Sequence, residues 1–274
     1  MTFPPLPEAL PAPVVDNHCH FDIVRGEDEL PIADGIAKAA SVGVTRIVQI
    51  GCDLPSARFA EQASREWAGV VGGAALHPND APLQPDLEAA LAEIERLVSA
   101  HPKMRVVGET GLDFFRTGED GRAVQIESFR RHIDIAKRHD KTLQIHDRDA
   151  HSSVLDVVDS VGGAPERWVM HCFSGDAEFA RACLDRGAYL SFSGTVTFKN
   201  AAYLREALAI APRDRILVET DAPFLTPHPH RGATNAAYMI PTTVRAMAEV
   251  LGEDLEALCL TISENTDRAY GGAW

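Results

Sequence analysis

No stretch of about 18 consecutive apolar residues occurs in the chain, so no membrane-spanning helix is expected. The opening MTFPPLPEALPAPVV lacks a basic segment followed by an apolar core and does not read as a secretory leader. Its prolines favour an extended strap over residues 1–13. The five cysteines, Cys19, Cys52, Cys172, Cys183 and Cys259, form no Cys-x-x-Cys pair and are odd in number. A disulfide framework or a thiolate zinc site is therefore not expected, and a reducing cytoplasm fits best. Neither G-x-G-x-x-G nor G-x-x-x-x-G-K is present, which removes the best support for nucleotide binding on an open sheet. Positive charge is scarce: 26 Lys and Arg face 40 Asp and Glu, a net charge of −14. That balance argues against binding long nucleic acid through an overall field, although a local site can still hold a short stretch. Nothing points to a membrane surface or to an obligate protein partner.

What is present suits one large core. The 274 residues are 45% hydrophobic, and no Ser/Gly-rich linker divides them, so residues 1–274 read as a single domain. Short apolar runs rich in β-branched residues alternate with helical patterns. The runs are Val14–Cys19, Thr45–Ile50, Gly69–Leu76, Arg105–Glu109, Thr142–His146, Trp168–His171, Ala188–Phe192 and Ile216–Glu219. They are nearly continuous in apolar character, as in strands buried on both faces. Between them, Leu87, Leu91, Ile94, Leu97 and Val98 form a stripe with helical spacing, as do Ile126, Phe129, Ile133 and Ala136. Further helices are expected over Pro55–Trp67, Asp176–Arg186, Asn200–Ile210 and Pro241–Leu251. About eight β-then-α units in a chain of this length predict a (β/α)8 TIM barrel, with a doubly wound open sheet as the alternative.

The chemistry-bearing residues fall at the predicted strand ends, which converge on one face in a barrel. His18 and His20 are two apart at the end of the first strand and can point the same way, gripping one ion. Glu109 directly follows an apolar strand, where a carboxylate is rarely buried unless paired or metal-bound, and its two oxygens could bridge two ions. His146 and His171 end consecutive strands, and Asp221 ends the eighth, with Glu219 lower down as an orienting group. Each has a bland reading alone: exposed loop histidines, a salt bridge, a turn cap before Pro223. Together, four His, one Glu and one Asp from five strands suit Zn, Mn, Fe or Ni better than an all-oxygen calcium site. His77 follows the third strand and is a candidate for substrate contact. His101, His132, His139 and His151 fall on helices or helix ends, where exposure is the default, and no role is assigned to them.

In order, the chain reads DNHCHFD, ALHP, GETGLDFFR, IHDRDA, HCFSG, SFSGTVTFKNA, LVETDAPFLTP and PHRGATN. With these motifs it resembles the TatD-family deoxyribonucleases, within the amidohydrolase-like barrels. The resemblance implies two divalent ions (Zn, Mg or Mn). It makes His18, His20, Glu109 and Asp221 ligands of one, and Glu109, His146 and His171 ligands of the other. It also implies that His77 and the Arg231/Asn235 loop help to hold substrate, and that the reaction is hydrolysis of DNA phosphodiesters from the 3′ end of single strands. Thr110 and the Phe114-Phe115 pair depart from the aliphatic residue and tyrosines more usual there. Asp221 is then the expected base for the attacking water and Glu109 the bridging catalytic carboxylate. Arg148, Arg231 and Lys199 are candidates for flanking phosphates, and Phe173 or Phe224 for stacking on a base. Rival readings are a phosphotriesterase- or lactonase-like ester hydrolase, a D-aminoacyl-tRNA deacylase, and a catalytically silent binding barrel. Glu109, standing where the phosphotriesterase-like enzymes carry a carboxylated lysine, favours the nuclease.

Overall fold

A computed structural model describes residues 2–26 and 29–274. In chain order the elements are β1 (Val14–Cys19), α1 (Ile32–Ser41), β2 (Val44–Gly51), α2 (Leu54–Glu66), β3 (Val70–Ala74), α3 (Leu87–Val98), β4 (Met104–Asp113), α4 (Glu119–Arg138), β5 (Thr142–Arg148), α5 (His151–Ser160), β6 (Trp168–Met170), α6 (Ala177–Leu184), β7 (Tyr189–Phe192), α7 (Ala202–Ile210), β8 (Ile216–Val218), α8 (Ile240–Leu251) and α9 (Leu255–Ala269). All neighbouring strands pair in parallel, in sequence order from β1 to β8. This is the (β/α)8 barrel that the alternation of apolar runs predicts. Among the described residues no helix is long and apolar enough to cross a membrane.

The seam between β8 and β1 is closed largely by side chains. Asn17 Nδ2 donates to the Val218 carbonyl at 2.8 Å, and Asp16 accepts from the Thr220 N–H and hydroxyl at 2.9 and 2.6 Å. Beyond them, backbone bonds join Asp221 N–H to the His18 carbonyl and His20 N–H to the Ala222 carbonyl. The polar latter part of the first strand is thus used twice, for closure and for the site above it.

Inside the barrel, Val48, Ile50, Val71, Val106, Val169 and Leu217 pack together with Tyr189. Tyr270, just after α9, joins this inner cluster, so the chain's last segment helps to fill the barrel. Arg105 fastens that segment by donating to the carbonyls of Tyr270, Gly272 and Ala273. Outside the barrel, the apolar stripes of α3 and α4 lie in the larger core with Trp168 and Phe192. Several helices start where the sequence supplies an aspartate: Asp53, Asp86, Asp176 and Asp254 each accept from a first-turn N–H. The strap is tied down as well, with Tyr238 donating to the Pro4 carbonyl and Arg245 to those of Glu8 and Ala9.

Two sequence expectations need correction. The fourth strand does not stop at Glu109. After a register shift between Val107 and Thr110 it continues to Asp113, because β5 also extends, to Arg148, and offers it partners. His132 is not exposed: it is fully buried, while His101, His139 and His151 stay partly exposed. Its Nδ1 donates to the Ser128 carbonyl at 2.7 Å, so its Nε2 is free to accept the Leu76 N–H at 3.1 Å. A helix residue thereby fixes the backbone immediately before His77.

Burial pushes the His132 imidazole down to about 4 from 6.5. Between those values the unfolded chain takes up a proton that the folded chain refuses. The stability tied to this ring is therefore complete above about pH 6.5 and is lost as pH falls toward 4. His132→Gln, which cannot titrate, is expected to lose about 2 kcal/mol less than the parent between pH 7 and pH 5 in urea unfolding. Equal losses in the two proteins would show that His132 does not carry this dependence.

Candidate metal centre

The side chains of the site project where the ladders are irregular. The β1–β2 register shifts between Asp16 and Cys19, and β4–β5 shifts between Val107 and Thr110. A bulge re-aims side chains, and these two sit at the His18 and Glu109 positions. Glycines allow β4 to press against β5. A Cβ on Gly108 would lie 2.6 Å from the Gln144 Cβ, and one on Gly111 (φ +140°) would run into the His146 carbonyl.

Ring tautomers define what each histidine can offer. His18 Nδ1 lies 2.8 Å from Gln144 Oε1. That amide is oriented, because its Nε2 donates to the Asn17 carbonyl at 2.8 Å and to the Tyr270 hydroxyl at 2.5 Å. His18 therefore carries its proton on Nδ1. His20 Nδ1 donates to the Ile50 carbonyl at 3.0 Å. In the neutral rings both Nε2 atoms are then lone-pair donors, yet they face each other at 3.1 Å. Glu109 Oε1 lies 3.4 Å and 3.6 Å from them, and Asp221 Oδ1 lies 3.8 Å and 3.5 Å. Four electron-rich atoms at such spacings repel unless a cation lies among them. Ligand bonds of 2.0–2.2 Å in a tetrahedron give edges of about 3.3–3.6 Å, so the donor set fits a small divalent ion.

The other oxygen of Glu109 has its own ring of nitrogens. His171 Nε2 is 2.8 Å from Oε2, His146 Nδ1 is 3.1 Å and His77 Nε2 is 3.8 Å. His171 Nδ1 faces Glu219 Oε1 at 3.2 Å, and the same oxygen accepts the Cys172 N–H at 2.7 Å. His146 Nε2 is buried with no hydrogen-bond partner among the described residues, and Asp113 Oδ2 stands 3.5 Å away. His77 differs from the rest. Its Nδ1 accepts the Asn79 N–H at 3.0 Å, so the neutral ring carries its proton on Nε2, toward Glu109. Although distance alone groups it with Glu109 and His146 as a metal triad, His77 presents a donor hydrogen rather than a lone pair. His171 and His146 fit a second ion; His77 does not.

The electrostatics agree with a site built for positive charge. Burial works against charging His20 and His171, yet the Asp221 and Glu109 carboxylates lift His20 to about 9, and Glu109 and Glu219 lift His171 well above its ordinary value. Burial also opposes the charge of Glu109, but His171 and the hydrogen bonds from His146 hold its carboxyl well below the usual range. Bound protons or bound metal ions can meet this demand, and the rings exchange one for the other. His77 runs the opposite way: burial pushes it down to about 3, so it stays neutral.

All six expected ligands, His18, His20, Glu109, His146, His171 and Asp221, meet at this one locus, and His77 stands at its edge. The expected substrate residues scatter around it. Arg148 ends β5 and Arg231 lies on the loop after β8, each over a phenylalanine ring. Asn235 is buried, and its Nδ2 donates to the Thr220 and Phe224 carbonyls at 3.0 and 2.6 Å, so it ties down the loop carrying Asp221. Phe173 is 1% exposed and belongs to the core, whereas Phe224 is 39% exposed. Lys199 is exposed.

Sequence reasoning missed Gln144, Gln49, Asp113 and Cys52. Gln49 accepts the Phe21 N–H and donates to Asp22 Oδ1, both at 2.8 Å, pinning the chain just past His20. Cys52 Sγ donates to Glu109 Oε1 at 3.2 Å. The signal for the glutamines is visible: a polar amide in the middle of an otherwise apolar buried strand needs a partner. If Gln144 orients His18, Gln144→Leu should weaken metal binding about 10- to 100-fold in a chelator competition, with secondary structure retained. Unchanged affinity would remove Gln144 from the centre.

Comparison with known proteins agrees with this geometry. The family model described as TatD related DNase matches residues 15–271. The uncharacterized metal-dependent hydrolase TatD of Mycobacterium tuberculosis is 47% identical over 265 residues, covering 95% of this chain and 99% of that one. The 3′-5′ ssDNA/RNA exonuclease TatD of Shigella flexneri is 31% identical over 254 residues, covering 88% and 93%. The crystal structure of YjjV, a TatD homologue from Escherichia coli, superposes with a TM-score of 0.86 at 24% identity over 95% of this chain and 98% of that one, a likeness of fold. A barrel of this topology, carrying this cluster of imidazoles and carboxylates at its strand ends, belongs to the TatD-related family of metal-dependent hydrolases.

Proposed function

We propose that the protein hydrolyses phosphodiester bonds at the 3′ end of single-stranded DNA, using two divalent ions that share Glu109. The observation that carries this reading is the division of labour at Glu109. Oε1 faces the lone pairs of His18 and His20, and Oε2 faces His171 and His146. Support for the substrate comes from the relative named as a 3′-5′ ssDNA/RNA exonuclease. When bound, the ions supply Lewis acidity and bring the pKa of a water molecule toward neutrality.

The chain's own residues then have distinct tasks. Asp221 offers Oδ1 to the first donor set, while its Oδ2 has no hydrogen-bond partner among the described residues. That free oxygen, on a side chain 16% exposed at the mouth, accepts the proton of the attacking water. His77 donates its Nε2 hydrogen to a phosphoryl oxygen, and the low pKa of its ring keeps it a neutral donor at the working pH. Glu109 keeps both donor sets at fixed separation. Glu219 and Gln144 orient His171 and His18 and take no part in the chemistry itself.

Asp221→Asn is expected to retain the fold and lower kcat on a short DNA oligonucleotide at least 100-fold. Near-normal turnover would remove its role as base. His77→Asn should lower kcat about 10- to 100-fold and leave the metal content unchanged. Loss of a bound ion in that variant would instead make His77 a ligand. Rates on single-stranded DNA, RNA and D-aminoacyl-tRNA, compared in Mg, Mn and Zn, test the substrate assignment. A D-aminoacyl-tRNA rate far above the DNA rate would overturn it.

A further inference from the structure

Cations in this acidic protein are mostly engaged. Arg58, Arg65, Arg96, Arg131, Arg138, Arg186 and Arg213 sit in ion pairs with carboxylates, and Arg205 and Arg245 donate to backbone carbonyls. Two arginines at the mouth are arranged differently. The Arg148 guanidinium lies 3.9 Å above the Phe115 ring, and that of Arg231 lies 4.1 Å above Phe198. Neither guanidinium has a carboxylate or carbonyl partner among the described residues. Phe115 is 62% exposed, so its ring is open to a partner from solvent.

A guanidinium stacked on an aromatic ring is held flat, with its second face and its N–H edges toward solvent. That is a receptor for two chemical features at once, a π-face and an anionic oxygen. A nucleotide strand carries both, repeated along its length. The two pairs rise from different sectors of the ring: Phe115 follows β4 and Arg148 ends β5, whereas Phe198 and Arg231 follow β7 and β8. In an eight-stranded ring, strands three places apart stand on the order of 15 Å from each other across the mouth. That corresponds to roughly four to five stacked nucleotides.

We propose that Phe115/Arg148 and Phe198/Arg231 form two stacking-and-phosphate stations that hold a single polynucleotide strand across the metal centre and set a preference for strands longer than a dinucleotide. The inference rests on the nuclease reading and adds the subsites of that same site. A duplex cannot use such stations, because its base faces are already stacked. Affinity is gathered from a few local contacts, which reconciles strand binding with a net charge of −14.

The test compares the parent with Phe115→Ala and Phe198→Ala on single-stranded DNA of two, four and eight nucleotides. Anisotropy in EDTA reads binding of the labelled eight-nucleotide strand without turnover. Each alanine variant should weaken eight-nucleotide binding and raise its KM about tenfold. kcat and the dinucleotide KM should stay within twofold of the parent, and Phe115→Tyr should restore the longer-strand KM. An eight-nucleotide probe with one abasic site should bind the parent more weakly at some positions, and at least one such penalty should vanish in Phe115→Ala. Equal changes on two and eight nucleotides, or no change on either, would overturn the stations while leaving the nuclease reading intact. Absence of hydrolysis of every DNA length by the parent would instead remove the nuclease reading. Anisotropy in the variants would then still decide whether the stations bind a strand.

Discussion

A single carboxylate has been driven into the top of the barrel and surrounded by imidazole rings. The Glu109 side chain is 6% exposed, and nitrogen atoms of five histidines lie within 3.8 Å of its two oxygens. A lone buried carboxylate would be expelled or protonated, because desolvation costs several kcal/mol or more. Here the imidazoles and the ions they can bind make the position tenable. Much of the local design follows from this constraint: the bulge in β4 that aims Glu109 inward, the glycines that bring β4 against β5, and the four other strand ends that deliver the remaining ligand donors.

The supporting layer converts a crowd of histidines into a sorted set. Gln144 and the Ile50 carbonyl take the Nδ1 protons of His18 and His20 and leave two lone pairs pointing together. The Asn79 N–H does the reverse to His77 and leaves a hydrogen pointing in. His77 and His146 stand only 4.5 Å apart between ring centroids, yet their hydrogen-bond surroundings differ. This layer reaches far. His18 is joined through Gln144 to Tyr270 at the end of the chain, and His77 is held by the buried His132 of α4 through Leu76. The barrel's far end and outer helices therefore contribute to the order of the site.

How much of this was legible in the sequence depended on the kind of signal. The fold announced itself because parallel strands buried on both faces leave continuous apolar runs, and the ligand candidates stood out as polar residues ending those runs. Strand ends were less readable. β4 runs on through Thr110 to Asp113 only because β5 is equally long, a property of the pair and not of either segment. His132 looked like a surface residue of a helix, since only the three-dimensional path of the β3–α3 loop supplies the N–H that it accepts. Asn235 was singled out for substrate and instead ties its amide to two backbone carbonyls, which a sequence cannot show. The Arg148/Phe115 and Arg231/Phe198 pairs each join residues far apart in sequence, so no local motif could reveal them.

The central claim is that both oxygens of Glu109 serve cations, one on each side. Anomalous diffraction from crystals soaked in manganese tests this most directly. Two peaks flanking Glu109 are expected, one among His18, His20 and Asp221, the other between His146 and His171. A single peak after saturation, or a second peak that does not touch Glu109, would contradict it.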